Sequence, residues 1–184
     1  MRTMMLMTVG LLALMFGHLD GRAHGRKRRD RPNCLQRTVS PRLIKELLNK
    51  TETLTNSLPT FPRKIYERLL PKICTTCAKK QLGIWEINKI LDVYGNVFNQ
   101  KSLEGLYPKH FEDLLARLEK DVQSCLVECP TRPKWTKTTI RKMENTFKKL
   151  DTNRTYKAIG EFKTVLLWIS DMRERKERSM DKCQ

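Results

Sequence analysis

Six cysteines, Cys34, Cys74, Cys77, Cys125, Cys129 and Cys183, are the side chains best equipped for chemistry in this 184-residue chain. Cys74 and Cys77 stand in a CxxC, and Cys125 and Cys129 are one helical turn apart. In a reducing compartment such spacing points to a redox couple, or to a zinc site built from Cys74, Cys77, Cys125 and Cys129. The first 23 residues argue for a different compartment. Arg2 is a short basic start, Met4–Phe16 is an apolar run without charge, and Gly21-Arg22-Ala23 sets small residues at the −3 and −1 positions of a cleavage site. This is the pattern of a secretory signal peptide over 1–23. No second apolar run approaches the roughly 18 residues of a membrane span. The expectation is a secreted, extracellular protein whose six cysteines form disulfides, with no zinc.

Other chemistry is sparse. His18 belongs to the signal peptide and His24 to the basic stretch after it, so His110 is the only histidine left for a folded body. It cannot build a triad or a histidine metal site without unusual partners. There is no Gly-rich phosphate loop, GxSxG or HExxH. His110 beside Glu112 and Asp113 reads as the exposed first turn of a helix, where acids suit the macrodipole. The chain is expected not to be an enzyme and to use no cofactor.

The elements that would carry these residues are helical. Ser40-Pro41 reads as N-cap and first helical residue, followed by a stripe of Leu43, Leu47, Leu54 and Leu58 with Ile44 and Leu48 beside it, closed by Pro59 and Pro62. Arg63–Leu70 predicts a short apolar-basic helix stopped by Pro71. Lys80–Phe98 predicts a long one, with Ile84, Ile87, Leu91, Tyr94 and Phe98 in a seam suited to bundle packing, and Gly95 marking fraying or close approach. Gln100–Tyr107 reads as a loop, and Pro108 as opening a helix on which Phe111, Leu115, Leu118, Val122 and Cys125 share a face. Thr136 or Thr138 is the expected cap of the next helix, which buries Ile140, Met143, Phe147 and Leu150. Asp151–Thr155 is a predicted turn. Tyr156–Ile169 is the strongest pattern: Ile159, Phe162, Leu166 and Ile169 form one face, and Val165, Leu167 and Trp168 widen it. No segment alternates like a strand. The class is an all-α bundle of five or six helices.

The formal net charge is +17, falling to +16 without the signal peptide, which takes two cations and one anion with it. Such an excess favours polyanions. His24–Pro32 is basic and lacks apolar residues, so it cannot pack. Arg26, Lys27, Arg28 and Arg29 suit a polyanion-binding arm over 24–33, or a dibasic site that secretory convertases cut before Asp30. Asn49-Lys50-Thr51 and Asn153-Arg154-Thr155 are N-glycosylation acceptors. Three non-enzymatic readings follow: a helical signalling ligand, a cationic defence protein, and a saposin-like lipid binder. The last needs a cysteine pair between positions 77 and 125, and none exists there.

Tyr156-Lys157-Ala158-Ile159-Gly160-Glu161-Phe162 with Leu166-Leu167-Trp168-Ile169 resembles the last-helix signature of the interleukin-10 family of class II helical cytokines. Thr139–Met143 and Phe147–Leu150 resemble the family's penultimate helix, and Leu91-Asp92-Val93-Tyr94-Gly95-Asn96-Val97-Phe98 is similar to another of its segments. The resemblance spans residues 34–172, stronger in the last third than in the first, and leaves 173–184 as a charged tail. It implies a six-helix bundle, stapled by disulfides, that binds two class II cytokine receptor chains and triggers JAK–STAT signalling. For the very basic branch of the family the implied pair is the interleukin-20 receptor alpha chain with the interleukin-10 receptor beta chain. It also implies pairing of Cys34 with Cys125 and of Cys74 or Cys77 with Cys129, with the leftover cysteine meeting Cys183. The primary receptor would meet the first helix, its following loop and the last helix: Arg42, Lys45, Lys50, Arg63, Lys64, Lys157 and Lys163. Ordinary solvated lysines are the competing reading of those positions. Heparin or DNA is the partner under the cationic reading, and a homodimer is as compatible with the pattern as a monomer.

Overall fold

The computed structural model describes residues 32–59, 68–70, 82–129, 136–148 and 150–175. Every described residue belongs to one compact unit, Arg31–Gln184. Six α-helices are present among them: α1 Cys34–Thr38, α2 Pro41–Ser57, α3 Ile84–Phe98, α4 Phe111–Ser124, α5 Thr136–Phe147 and α6 Thr152–Glu174. Short 3-10 turns, Lys101–Leu103 and Cys125–Glu128, precede and extend α4. The described residues contain no strand, so the all-α class holds.

Each helix starts for a local reason. The Ser40 hydroxyl accepts from the Leu43 amide at 3.1 Å, with Pro41 in the first turn, as the sequence predicts. Helix α3 begins at Ile84 rather than near Lys80. Leu82 and Gly83 are not helical, and the Glu86 carboxylate reaches back to the Gly83 amide at 2.9 Å, which fixes the start. Helix α4 begins after His110, whose φ of 62° puts it in the left-handed region, so Pro108 ends the preceding turn instead of opening the helix. Thr138 lies inside α5, which already runs from Thr136. The expected turn Asp151–Thr155 is helical from Thr152 onward, because Asp151 Oδ1 accepts from the Arg154 amide at 2.8 Å and caps α6. Of the helix expected over Arg63–Leu70, Arg68, Leu69 and Leu70 are not helical, and the rest lies outside the described residues.

Helices α3 and α6 are the hubs. Helix α6 packs on α1, α2 and α3, while α3 packs on α4, α5 and α6. Ile159, Phe162, Val165, Leu166 and Ile169 are fully buried. Leu167, expected to widen that face, is instead 48% exposed. On α3, Tyr94 and Phe98 stand one turn apart. Their rings lie 4.9 and 5.0 Å from Phe162 of α6, and they reach Phe147 of α5 at 5.4 Å and Phe111 of α4 at 5.1 Å. Buried edge-to-face aromatic pairs contribute about 0.5–1.5 kcal/mol each beyond their area. Among the described residues the buried Tyr94 hydroxyl has no hydrogen-bond partner. Burial, and then the charge of Glu161, push its pKa well up. Gly95 permits a close approach: a Cβ there would stand 3.2 Å from Glu119 Oε1 of α4. The Glu119 carboxyl is itself pushed up, first by burial and then by Asp92.

The ends of the bundle are tied together. Cys34 opens α1 rather than preceding the first helix, and it is bonded to Cys125, the pairing the resemblance implies. A bridge spanning 91 positions stabilises by about 4–5 kcal/mol in the chain-entropy picture. Cys129 is buried and also disulfide-bonded, to a partner outside the described residues. Asn33 works in two directions. Its Oδ1 accepts from the Gln36 amide and caps α1, while its Nδ2 lies 3.0, 3.2 and 2.8 Å from the carbonyls of Met172, Arg173 and Arg175 at the end of α6. Arg173 Nε adds a bond to the Val39 carbonyl at 2.9 Å.

Two outcomes are expected. Asn33→Ala should lower stability by about 1–2 kcal/mol, read as a lower Tm. Asn33→Asp should fall between that variant and the parent, since it keeps the acceptor for Gln36 and lacks the donor. Tyr94→Phe removes a hydroxyl without a partner and should be neutral or up to about 1 kcal/mol stabilising in urea unfolding. A loss larger than that would mean the hydroxyl is bonded in solution.

Candidate interaction surface

Helices α2 and α6 run antiparallel. Val39, just before α2, meets Arg173 near the end of α6, and Gly160 lies beside Thr55 near the end of α2. Their outer faces therefore form one continuous surface. On α2 it presents Arg42, Lys45, Asn49 and Glu52, all exposed. Beyond the first turn of α6 the exposed positions are Gly160, Lys163, Leu167, Asp171 and Glu174, a single stripe at three- and four-residue steps. Lys163 Nζ lies 4.0 Å from Glu52 Oε2 and bridges the two helices. The pair is exposed and contributes little to stability.

The residues singled out in the sequence do not all join this surface. Arg42, Lys45 and Lys163 do. Lys50 is half-buried and turned aside, its Nζ donating to the Lys109 carbonyl at 2.5 Å. Lys157 is half-buried, 3.6 Å from Glu161. Arg63 and Lys64 lie outside the described residues, as do Arg26, Lys27, Arg28 and Arg29, and Cys74, Cys77 and Cys183. Leu167, at the centre of the α6 stripe, was missed, because the apolar run Val165–Ile169 hides which member turns outward.

Gly160 and Glu161 divide the work of the α6 signature. A helix-interior glycine costs about 0.5–1 kcal/mol relative to alanine. Among the described residues no close packing requires it here, since an added Cβ would meet only Thr55 Cγ2, at 3.9 Å. Glu161 has an internal role. Its carboxylate accepts from the Leu69 amide at 3.1 and 3.2 Å and from the Leu70 amide at 2.8 Å, and so anchors the backbone before Pro71 to α6. Nothing in the sequence pairs positions about 90 apart, so this contact was not legible beforehand.

Elsewhere the surface charge is distributed unevenly. Arg37 pairs with Glu128, Lys89 with Asp92 at 2.6 Å, and Arg117 lies 3.9 Å from Asp121. Arg141 and Lys142 on α5, and Lys148 just after it, are exposed, and among the described residues no ion pair engages them. His110 Nδ1 is 3.3 Å from Asp113 Oδ2 at an exposed helix start. Tyr107 donates to the Phe98 carbonyl, and its pKa is pushed up to about 12, first by burial and then by Glu112. Among the described residues no group of three or more His, Cys, Asp or Glu could hold a metal ion, and no helix is long and apolar enough to cross a membrane. Asn49 and Asn153 are exposed, the latter in the first turn of α6 rather than in a loop. The hydroxyls of their partner threonines are buried: Thr51 Oγ1 donates to the Leu47 carbonyl at 2.7 Å, and Thr155 Oγ1 lies 2.8 Å from Gln100 Oε1.

Comparison with protein-family models, with curated proteins and with solved structures finds no match to this chain.

Glu161→Ala should cost about 2–3 kcal/mol, the scale of charge-assisted hydrogen bonds. It should also speed amide exchange at Leu69 and Leu70 more than tenfold, with Glu161→Gln intermediate. Unchanged exchange at those two amides would remove the anchoring role.

Proposed function

We propose that this is a secreted cytokine of the interleukin-10 family, nearest in wording to interleukin-26 and then to interleukin-22. In this reading it binds a heterodimeric class II cytokine receptor and activates JAK–STAT signalling in immune or epithelial responses, without catalysis. The observation that carries the reading is the antiparallel pairing of α2 with α6. It makes one outward surface from Arg42, Lys45, Lys163 and Leu167, the two helices through which the resemblance implies primary receptor contact. Leu167 supplies what lysines alone lack, an exposed apolar side chain able to seat in a partner pocket. The charged neighbours steer the encounter and set its salt dependence. The receptor chains proposed are interleukin-20 receptor alpha and interleukin-10 receptor beta, and Asn49 and Asn153 are proposed glycan sites.

A second reading has its own observation. Arg141, Lys142 and Lys148, which no ion pair engages among the described residues, together with the arm Arg26–Arg29, suit a cationic antimicrobial protein or a binder of nucleic acid or glycosaminoglycan. The two differ in salt response: polyanion binding should collapse between ~50 and ~200 mM salt, and a packed receptor interface should persist.

The test is STAT phosphorylation at physiological salt in cells carrying class II receptor chains in defined pairs, with heparin as competitor. Signalling should require one pair. Leu167→Glu should raise the half-maximal concentration at least tenfold while leaving Tm within a degree or two, because a surface change away from special features moves stability by only about 0.5 kcal/mol. Silence with every pair, accompanied by salt-sensitive DNA binding, would replace the cytokine reading with the cationic one.

A further inference from the structure

The α2–α6 face differs in charge from the molecule that carries it. The chain has a formal charge of +17, so two copies repel one another at most approaches. On this face Arg42, Lys45 and Lys163 are balanced by Glu52, Asp171 and Glu174, all exposed. Lys163 and Glu52 lie 4.0 Å apart, and among the described residues no ion pair engages the other four. Leu167 supplies an exposed apolar side chain at the centre. We infer that this face joins two copies of the chain in an isologous dimer, with α6 antiparallel to its counterpart about a two-fold axis at Leu167.

The α6 stripe has the same spacing in both directions from Leu167. Lys163 and Asp171 are each four residues away, and Gly160 and Glu174 each seven. At 1.5 Å per residue those steps are about 6 and 10 Å along the helix. A copy turned about Leu167 therefore sets its Asp171 opposite Lys163 and its Glu174 opposite Gly160, while Leu167 meets Leu167. Helix α2 is in register with the same axis. Val39 is level with Arg173, and Thr55 with Gly160. Leu167 stands midway between those levels on α6, and Leu47 midway on α2. Arg42 and Glu52 are each five residues from Leu47, so one rotation also sets Arg42 opposite Glu52 of the second copy. Symmetry makes every such pair occur twice. A two-fold axis running along the helices would instead lay α6 on α2 of the second copy and leave Leu167 level with Lys45 and Asn49, away from any apolar partner. The face is two helices wide and as long as α2, roughly 500 Å² per copy. About 1,000 Å² in all is the lower limit of a specific interface, so the dimer is reversible and forms in the micromolar range. It covers Arg42, Lys45, Lys163 and Leu167, so concentrated protein would be held silent and dilution would release it. That consequence alone rests on the cytokine reading.

Sedimentation velocity on the purified protein, free of nucleic acid and at physiological salt, tests this from ~1 μM to ~1 mM. The expected course is monomer to dimer with nothing larger, because an isologous contact closes on itself. Lys163→Asp and Asp171→Lys should each raise the dissociation constant at least about tenfold, since each sets like charges opposite one another twice. The two change net charge in opposite directions, so general repulsion would move them apart instead. Combined, they should return to within about threefold of the parent, as a restored charge pair requires. Leu167→Glu should abolish the dimer. All are surface changes and should leave Tm within a degree or two. A chain that stays monomeric throughout would overturn the inference. So would a dimer indifferent to Leu167→Glu, or a combined variant no better than the single ones. Signalling is measured at concentrations far below dimerisation, so failure of the receptor reading and failure of the dimer are read separately.

Discussion

The structure depends on one contact, the seating of Phe162 between Tyr94 and Phe98. Helix α6 buries a broad apolar face, running from Ala158 through Met172, that must be covered by other helices. The two α3 rings give it a fixed neighbour. Because they stand one turn apart, they also face Phe147 and Phe111, so α5 and α4 dock against the same pair of side chains. The core is thus assembled about one aromatic node, and rotating α6 would disturb three interfaces at once. Full burial of one such ring is worth about 1.5–3 kcal/mol.

That node explains why the last-helix signature has the composition it does. Ile159 and Phe162 face the core, Glu161 holds the Leu69 and Leu70 amides, and Gly160 faces solvent. Most letters of the motif therefore serve the fold. A sequence that resembles the family here resembles it chiefly in how α6 is held, and the outward positions Gly160, Lys163 and Leu167 are where a partner would be chosen. The same division applies to Leu91–Phe98, where Tyr94 and Phe98 pack inward while Asp92 and Asn96 are exposed.

Legibility in the sequence followed the range of the interaction concerned. Ser40-Pro41 and the stripe Leu43, Leu47 and Leu54 are local signals, and they placed α2 correctly. The seam Ile84, Ile87, Leu91, Tyr94 and Phe98 was readable because its period spans four turns. Helix α1, at five residues, is too short to show a period. The Asp151 cap was local and readable in principle, but the charged stretch beside it looked like a turn. Leu167 was misplaced because five consecutive apolar residues exceed the arc a helix can bury. The Asn33 and Glu161 contacts join positions that the chain separates by 90 residues or more, so no spacing rule could have found them. The candidate surface was legible as a pair of helices, but its membership was not, since Lys50 and Lys157 have partners of their own.

Thr51 and Thr155 carry a consequence in time. Each is the hydroxyl residue of an Asn-x-Thr acceptor, and a transferase must engage that hydroxyl while adding sugar to the asparagine. In the finished protein the Thr51 hydroxyl is committed to the backbone of α2, and that of Thr155 to Gln100. Asn49 and Asn153 face solvent all the while. Were the chain to meet a glycosylating transferase, the window for adding sugar would close when α2 and α6 close, and occupancy would record how folding raced glycosylation in the nascent chain. Conditions that slow folding would raise it, and no later step could add a sugar without first opening the helix.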